Sequence, residues 1–186
     1  MARENVVLTG FMGTGKTAVG RRLASRLKMA FLDTDDMVEE ATGLTIPEIF
    51  RKFGEERFRL EERRAVAWAA AARKCVIATG GGVVLNPENV KRLRENGYIV
   101  LLEARPEVIA GRVGGAGGRP LLNGKGDLVK RIAALLDARA PYYRDCDLRI
   151  DTSDITADET VTRIIRFLQE QGWVCEGSCG CGFSAG

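Results

Sequence analysis

The chain of 186 residues contains no histidine. That absence removes Ser-His-Asp and Cys-His nucleophilic chemistry, histidine-ligated zinc and a histidine general base. Aromatic residues are few, at 6%, and no apolar run approaches the roughly 18 uninterrupted residues that a membrane span needs. An excess of one charge is also missing: 28 basic against 25 acidic residues leave +3. A field that mild argues against wrapping nucleic acid or coating an anionic membrane. The five cysteines are an odd number, with Cys75 and Cys146 isolated, and so do not form a disulfide framework. Met1 to Asn5 run straight into a strand with no signal-peptide pattern, and a cytoplasmic location is the expectation.

Arginine is abundant, at 21 residues against 7 lysines. Guanidinium forks suit carboxylates and phosphates held bidentately, which points to an anionic small-molecule ligand. With 45% hydrophobic and 28% charged residues, the composition is that of an ordinary globular protein, and the length suits one domain.

Short apolar runs alternate with longer helical patterns. Val6 to Leu8, Met29 to Leu32, Cys75 to Ala78, Tyr98 to Leu102 and Leu148 to Ile150 read as strands. Helices are expected over Ala18 to Leu27, about Glu55 to Arg73, Pro87 to Glu95, Pro106 to Val113, Asp127 to Ala138 and Ala157 to Gln171. Thr45-Ile46-Pro47-Glu48 has the pattern of a helix start, a capping hydroxyl with a glutamate three residues on. Strands separated by helices predict an α/β domain with a largely parallel, doubly covered sheet. The glycine-rich stretch from Gly114 to about Gly126 reads as a flap, and residues 173–186, with Cys175, Cys179 and Cys181, as an appended tail expected to be disordered. No internal repeat is present.

Gly10-Phe11-Met12-Gly13-Thr14-Gly15-Lys16-Thr17 matches G-x-x-x-x-G-K-[ST] in full, after a strand and before a helix. Glycines there let backbone N–H groups turn inward as a nest, and the helix N-terminus adds partial positive charge. In such a loop Lys16 reaches the β- and γ-phosphates and the Thr17 hydroxyl ligates Mg²⁺. The motif specifies a nucleoside triphosphate and leaves the reaction open.

Asp33 and Asp35 follow the second strand, at the edge where open α/β sheets bind ligands. Asp33 facing a metal and Asp35 facing an acceptor hydroxyl is one reading; a plain helix cap over Asp33 to Asp36 is the other. Gly80-Gly81-Gly82 exceeds what a turn needs and suits close backbone approach to a substrate, with N–H groups as donors. Arg59 lies in a charged helix face and Arg139 near a helix end, and each alone reads as surface. Arg119, on the flap, has the placement to stabilise charge on a transferring phosphate.

Taken in order, the phosphate loop, Asp33-Thr34-Asp35, Phe58-Arg59, the glycine triplet, Arg119-Pro120-Leu121-Leu122 and Arg139-Ala140-Pro141-x-Tyr143 strongly resemble the shikimate kinase family over residues 5 to about 170. The resemblance implies transfer of the ATP γ-phosphoryl group to the 3-hydroxyl of shikimate, a step towards chorismate and the aromatic amino acids. It implies a three-layer α/β/α fold with a five-stranded parallel sheet and a mobile lid, in one domain over residues 1–172. It assigns Asp35 to the shikimate hydroxyls as the base-like residue, and Arg59 and Arg139 to its carboxylate. Gly80, Gly81 and Gly82 would line the site and Phe50 and Phe58 would pack on the ring. Gly13, Thr14, Gly15, Lys16, Thr17 and Ala18 would hold ATP, with Arg112, Thr152 and Ser153 flanking adenine and Arg119 on the lid. Asp33 would assist one Mg²⁺ beside Thr17. A monomer is expected, without nucleic-acid or membrane partners. The tail cysteines, spaced C-x3-C-x-C, are no feature of the family and lack the paired spacing of a zinc site.

Two other functions fit part of this pattern. A gluconate kinase shares the phosphate loop and lid but does not account for Asp33-Thr34-Asp35 with the glycine triplet. A silent nucleotide-binding module has no need of intact Lys16, Thr17, Asp33, Asp35 and Arg119.

Overall fold

Val6, Val7 and Leu8 are all fully buried, which is why β1 (Asn5–Thr9) reads as an unbroken apolar run and not as an alternating one. The computed structural model describes residues 3–113 and 127–173; the expected lid at 114–126, with Arg119, and the tail cysteines lie outside the described residues. β1 pairs in parallel with β3 (Cys75–Ala78) on one side and β4 (Gly97–Glu103) on the other. β2 (Ala30–Asp33) and β5 (Leu148–Asp151) add at the two edges, also parallel, for the order β2-β3-β1-β4-β5.

Helices cover both faces. On one, α1 (Lys16–Leu27) and α7 (Ala157–Glu170) set Val19, Leu23, Val161, Ile164 and Leu168 against Val6, Leu8, Val100 and Ile150. On the other, α3 (Ile46–Ala71) and α4 (Pro87–Asn96) set Val66, Ala69 and Leu93 against Val7, Ile77 and Ile99. The three-layer α/β/α arrangement and the five parallel strands match the sequence expectation. Above the carboxyl edge of the sheet, α5 (Pro106–Val113) and α6 (Leu128–Arg139) enclose Phe11 between Ile109, Val113 and Ile132. Among the described residues no helix is long and apolar enough to cross a membrane.

A short helix α2 (Thr34–Thr42) starts directly at the end of β2 with Asp33 as its N-cap, in line with the capping alternative for Asp33 to Asp36. One boundary differs from the sequence reading. The expected helix at Glu55 is the continuation of one that starts at Ile46. Glu48 accepts hydrogen bonds there from both the Thr45 N–H, at 2.9 Å, and the Thr45 hydroxyl, at 2.8 Å. The two halves of α3 meet at Gly54, whose backbone (φ 79°, ψ 179°) is not helical and kinks the rod. The kink separates Ile49 and Phe50 from Phe58, Arg59 and Glu62, yet the Phe50 and Phe58 rings still meet across it at 4.9 Å between centroids. Other boundaries agree within one or two residues.

Nothing lies within 4 Å of where a Gly54 side chain would project, so glycine is required there by backbone angle alone. We expect Gly54→Ala to lower stability by about 1–3 kcal/mol, the usual cost of a non-glycine residue in this region. Urea denaturation checks this; an unchanged midpoint would mean that the kink straightens without penalty.

Candidate active site

The loop after β1 turns on Gly13 and Gly15, with φ of 79° and 98°, angles that residues with a Cβ rarely adopt. Gly15 caps α1 without any side-chain hydrogen bond, so the first-turn N–H groups of that helix remain available to an anion. Lys16 is 9% exposed, and its ammonium donates to the carbonyls of Gly10 at 2.9 Å and Phe11 at 2.8 Å.

Asp33 caps the next helix and also meets the Thr17 hydroxyl. Its Oδ1 accepts the Asp35 N–H at 3.1 Å, which caps α2, while Oδ2 accepts the Thr17 hydroxyl at 2.9 Å. Two hard oxygen donors therefore meet at the foot of the phosphate loop. That donor set fits Mg²⁺, which keeps water and phosphate oxygens as its other ligands.

Asp35 lies in the interior of the cleft, and its carboxyl is pushed up to about 6. Burial is the main cause, and Asp33 adds to it; the Lys16 ammonium opposes, while Glu62 and Asp36 raise it further. The glycine triplet explains how this carboxylate fits. A Cβ on Gly80 would collide with Asp35 Oδ1, and one on Gly82 with the guanidinium of Arg59. The triplet is thus a clearance for two charged side chains. Its first amide is not a free donor, because the Gly80 N–H bonds the Thr34 hydroxyl at 2.9 Å.

Arg59 is not the solvated side chain that its setting suggested. Its side chain is 21% exposed, and Nη1 bonds Glu62 at 2.8 Å while Nη2 bonds Glu55 at 3.1 Å. The guanidinium also stacks over Phe58, 5.2 Å from the ring centroid. Arg139 is 7% exposed and donates to the Gly81 carbonyl at 3.3 Å. That carbonyl also accepts the Tyr143 hydroxyl at 2.8 Å, and burial pushes the phenol up to about 12. Arg59 is thus held by neighbours on its own helix, while Arg139 meets residues far from it in sequence.

Glu62 and Glu39 were missed in the sequence. Glu62 is buried, and burial raises its carboxyl despite Arg59 and Arg139 nearby. Its spacing three residues after Arg59 was the available signal, obscured by the many pairs of the same helix. Glu39 accepts the Ile46 N–H at 2.8 Å and so anchors the start of α3.

On the other flank Arg112 donates to the Gly13 carbonyl at 3.3 Å and to the Thr152 carbonyl at 2.8 Å. The Thr152 hydroxyl lies 3.0 Å from both the Thr14 and Glu103 carbonyl oxygens. Together these residues stitch the loop after β5 to the phosphate loop. Ser153 does not join them: it accepts the Arg105 N–H at 2.9 Å and bonds Asp151. The Thr14 side chain also turns away, donating to the Phe11 carbonyl at 2.8 Å.

The resulting cleft has a volume of about 560 Å³. It is lined by Gly13, Gly15, Lys16, Thr17, Ala18, Asp33 and Asp35, by Phe50, Phe58 and Arg59, by Gly80, Gly81 and Gly82, and by Arg112 and Arg139. Thr14, Thr152 and Ser153 are not on that wall, and Arg119 lies outside the described residues.

A phosphate loop and two inward arginines lining one cleft have the arrangement of a P-loop small-molecule kinase. Comparison with known proteins makes this specific. The family model for shikimate kinase matches residues 12–169. A shikimate kinase of Caldanaerobacter subterraneus is 52% identical over 88% of this chain and 95% of its own. One of Pelotomaculum thermopropionicum is 50% identical over 92% of this chain and 99% of its own. The solved structure of Acinetobacter baumannii shikimate kinase in complex with shikimate superposes with a TM-score of 0.86 at 35% identity, covering 91% of this chain and 94% of that one. The chain belongs to the shikimate kinase family.

Holding Asp35 ionised in the folded protein has a cost. Moving its pKa from 3.8 to about 6 corresponds to about 3 kcal/mol of lost stability at neutral pH. The sign follows from proton uptake: between those values the folded state binds more protons than the unfolded one, so stability falls as pH rises through about 6. We expect ligand-free Asp35→Asn to be more stable than wild type at pH 8, with the difference shrinking towards pH 4. Chemical denaturation at the two pH values tests this, and a variant less stable at both would show that the buried carboxylate is not strained.

Proposed function

We propose that this chain transfers the γ-phosphoryl group of ATP to the 3-hydroxyl of shikimate, releasing ADP and shikimate 3-phosphate, with Asp35 orienting the hydroxyl and accepting its proton. The observation that carries the proposal is the buried Asp35 carboxylate, held in the cleft between the Lys16 side and the Gly80 backbone. A group with a pKa near 6 is ionised at neutral pH and still basic enough to take a proton as the hydroxyl oxygen bonds phosphorus.

Lys16 leaves the loop carbonyls for the phosphates, and the N-terminus of α1 holds them by its N–H groups. Thr17 and Asp33 would hold Mg²⁺, which when bound would neutralise charge on the phosphate oxygens. Arg59 and Arg139 grip the shikimate carboxylate, and Glu62 keeps the Arg59 fork in position. Phe50 and Phe58 face the carbon ring. Gly80, Gly81 and Gly82 let the substrate approach the backbone. Arg112, with Thr152 behind it, flanks the adenine, a role supported less for Ser153, whose hydroxyl is engaged by Asp151. Arg119 is the lid arginine in this reading, which rests for that residue on the motif alone. Little covalent chemistry is asked of the protein, so a cleft without histidine is sufficient. The same reading takes the chain to act as a monomer in the cytoplasm.

The test is ADP release from Mg²⁺-ATP with shikimate, with gluconate and with no acceptor. Turnover is expected with shikimate alone; turnover with gluconate would move the assignment to another acceptor class. Asp35→Ala and Lys16→Met should each lower kcat by at least about 100-fold. Because protonation disables the base, kcat/KM is expected to decline as pH falls below about 6. A flat profile down to pH 5 would remove Asp35 from the proton-accepting role.

A further inference from the structure

Phe11 occupies an unspecified position of the phosphate-loop motif and has no phosphate chemistry of its own. It is nevertheless among the largest fully buried side chains, at 1% exposure. Its backbone and its ring make separate contacts, one with phosphate-loop side chains and the other with Arg139. The Phe11 carbonyl accepts the Lys16 ammonium at 2.8 Å and the Thr14 hydroxyl at 2.8 Å. Its ring lies beneath the guanidinium of Arg139, 5.3 Å from centroid to the central carbon. That is within the range in which the ring quadrupole attracts a cation.

The two inward arginines are supported differently. Arg59 is held by carboxylates and a ring of its own helix, Glu55, Glu62 and Phe58. Arg139 is steadied by the nearby Tyr143 hydroxyl, by the Gly81 carbonyl at a long 3.3 Å and by the Phe11 face. The Phe11 face is the contact that ties its orientation to the phosphate loop. The ring is in turn clamped between α5 and α6, against Ile109, Val113 and Ile132. A shift of the Phe11 backbone is transmitted to Arg139 and not absorbed by free rotation of the ring.

We infer that Phe11 is a positioning residue that couples the two ligands, its carbonyl sensing whether Lys16 has moved to the phosphates and its ring setting the guanidinium that meets the acceptor carboxylate. This deepens the proposed function and takes from it the identity of the two ligands. Nucleotide binding draws Lys16 away from the Phe11 carbonyl, the loop relaxes, and Arg139 settles over the ring in the orientation that receives the acid. By linkage the acid strengthens nucleotide binding by the same factor.

The experiment measures shikimate Kd by calorimetry with and without saturating ADP, in wild type, Phe11→Leu, Arg139→Lys and the double variant. Leucine retains an apolar side chain and removes the aromatic face. We expect ADP to tighten shikimate binding in wild type. Phe11→Leu should weaken binding to the ADP complex by about fivefold, within the range of a desolvated cation–aromatic contact. Its shikimate affinity should then depend little on ADP, with ADP affinity in the absence of shikimate and kcat both within about twofold of wild type. In the Arg139→Lys background the same change should have almost no further effect.

Equal losses in both backgrounds would assign Phe11 to packing alone and overturn the inference. So would a wild type whose shikimate affinity ignores ADP. A wild type that turns over shikimate while Phe11→Leu matches it throughout refutes the coupling and leaves the proposed function standing. A wild type that binds no shikimate refutes both. If Phe11→Leu does not fold, Phe11→Met carries the same comparison.

Discussion

The site depends on one rung of the sheet. Leu8 of β1 and Asp33 of β2 are both aligned with Ala78 of β3, so three adjacent strands end at the same level. The Thr79 N–H extends the rung by one further bond, 3.0 Å to the Leu8 carbonyl. From that shared edge the phosphate loop, the Asp33-Thr34-Asp35 segment and the glycine triplet all open on the same side. A slip of one residue would turn Val6, Val7 and Leu8 to the wrong layers, so the hydrophobic core itself enforces the alignment. Catalytic geometry here is a by-product of strand register.

Charge is the second constraint. Asp33, Asp35 and Glu62 share one cleft with Lys16, Arg59 and Arg139, and few of these groups are well exposed to water. Burial first, and the neighbouring carboxylates after it, raise Asp35, while the arginines offset part of the burial effect at Glu62. A fully compensated cluster would leave Asp35 an ordinary acid with little affinity for a proton at neutral pH. The cleft tolerates an unfavourable ionisation at the one position where the proposed reaction needs basicity, a common relation between stability and activity.

Much of the fold was legible because buried parallel strands leave apolar runs, and the phosphate loop because its glycines and lysine are fixed by phosphate geometry. α2 was legible only as one of two alternatives, because Asp33 carries a cap and a hydroxyl contact at once. Arg59 and Arg139 could be singled out only through the family pattern. Each also packs against residues distant in sequence, Gly82 for one and Phe11 with Gly81 for the other. Glu62 sits among so many charged neighbours on α3 that helical spacing could not separate it from them. Nor does any local rule state that the Gly80 amide is already bonded to Thr34.

Stacking each inward arginine on a phenylalanine ring also bears on how a small acid can be held at all. A compact ligand makes few contacts, and freezing a flexible side chain on binding costs about 0.5–1.5 kcal/mol for each one immobilised. With rings beneath them, Arg59 and Arg139 lose much of their rotamer freedom when the chain folds. The ordering entropy is thereby charged to folding, where a core of buried strands absorbs it, and the guanidinium groups have little rotamer freedom left to lose to a ligand of few atoms.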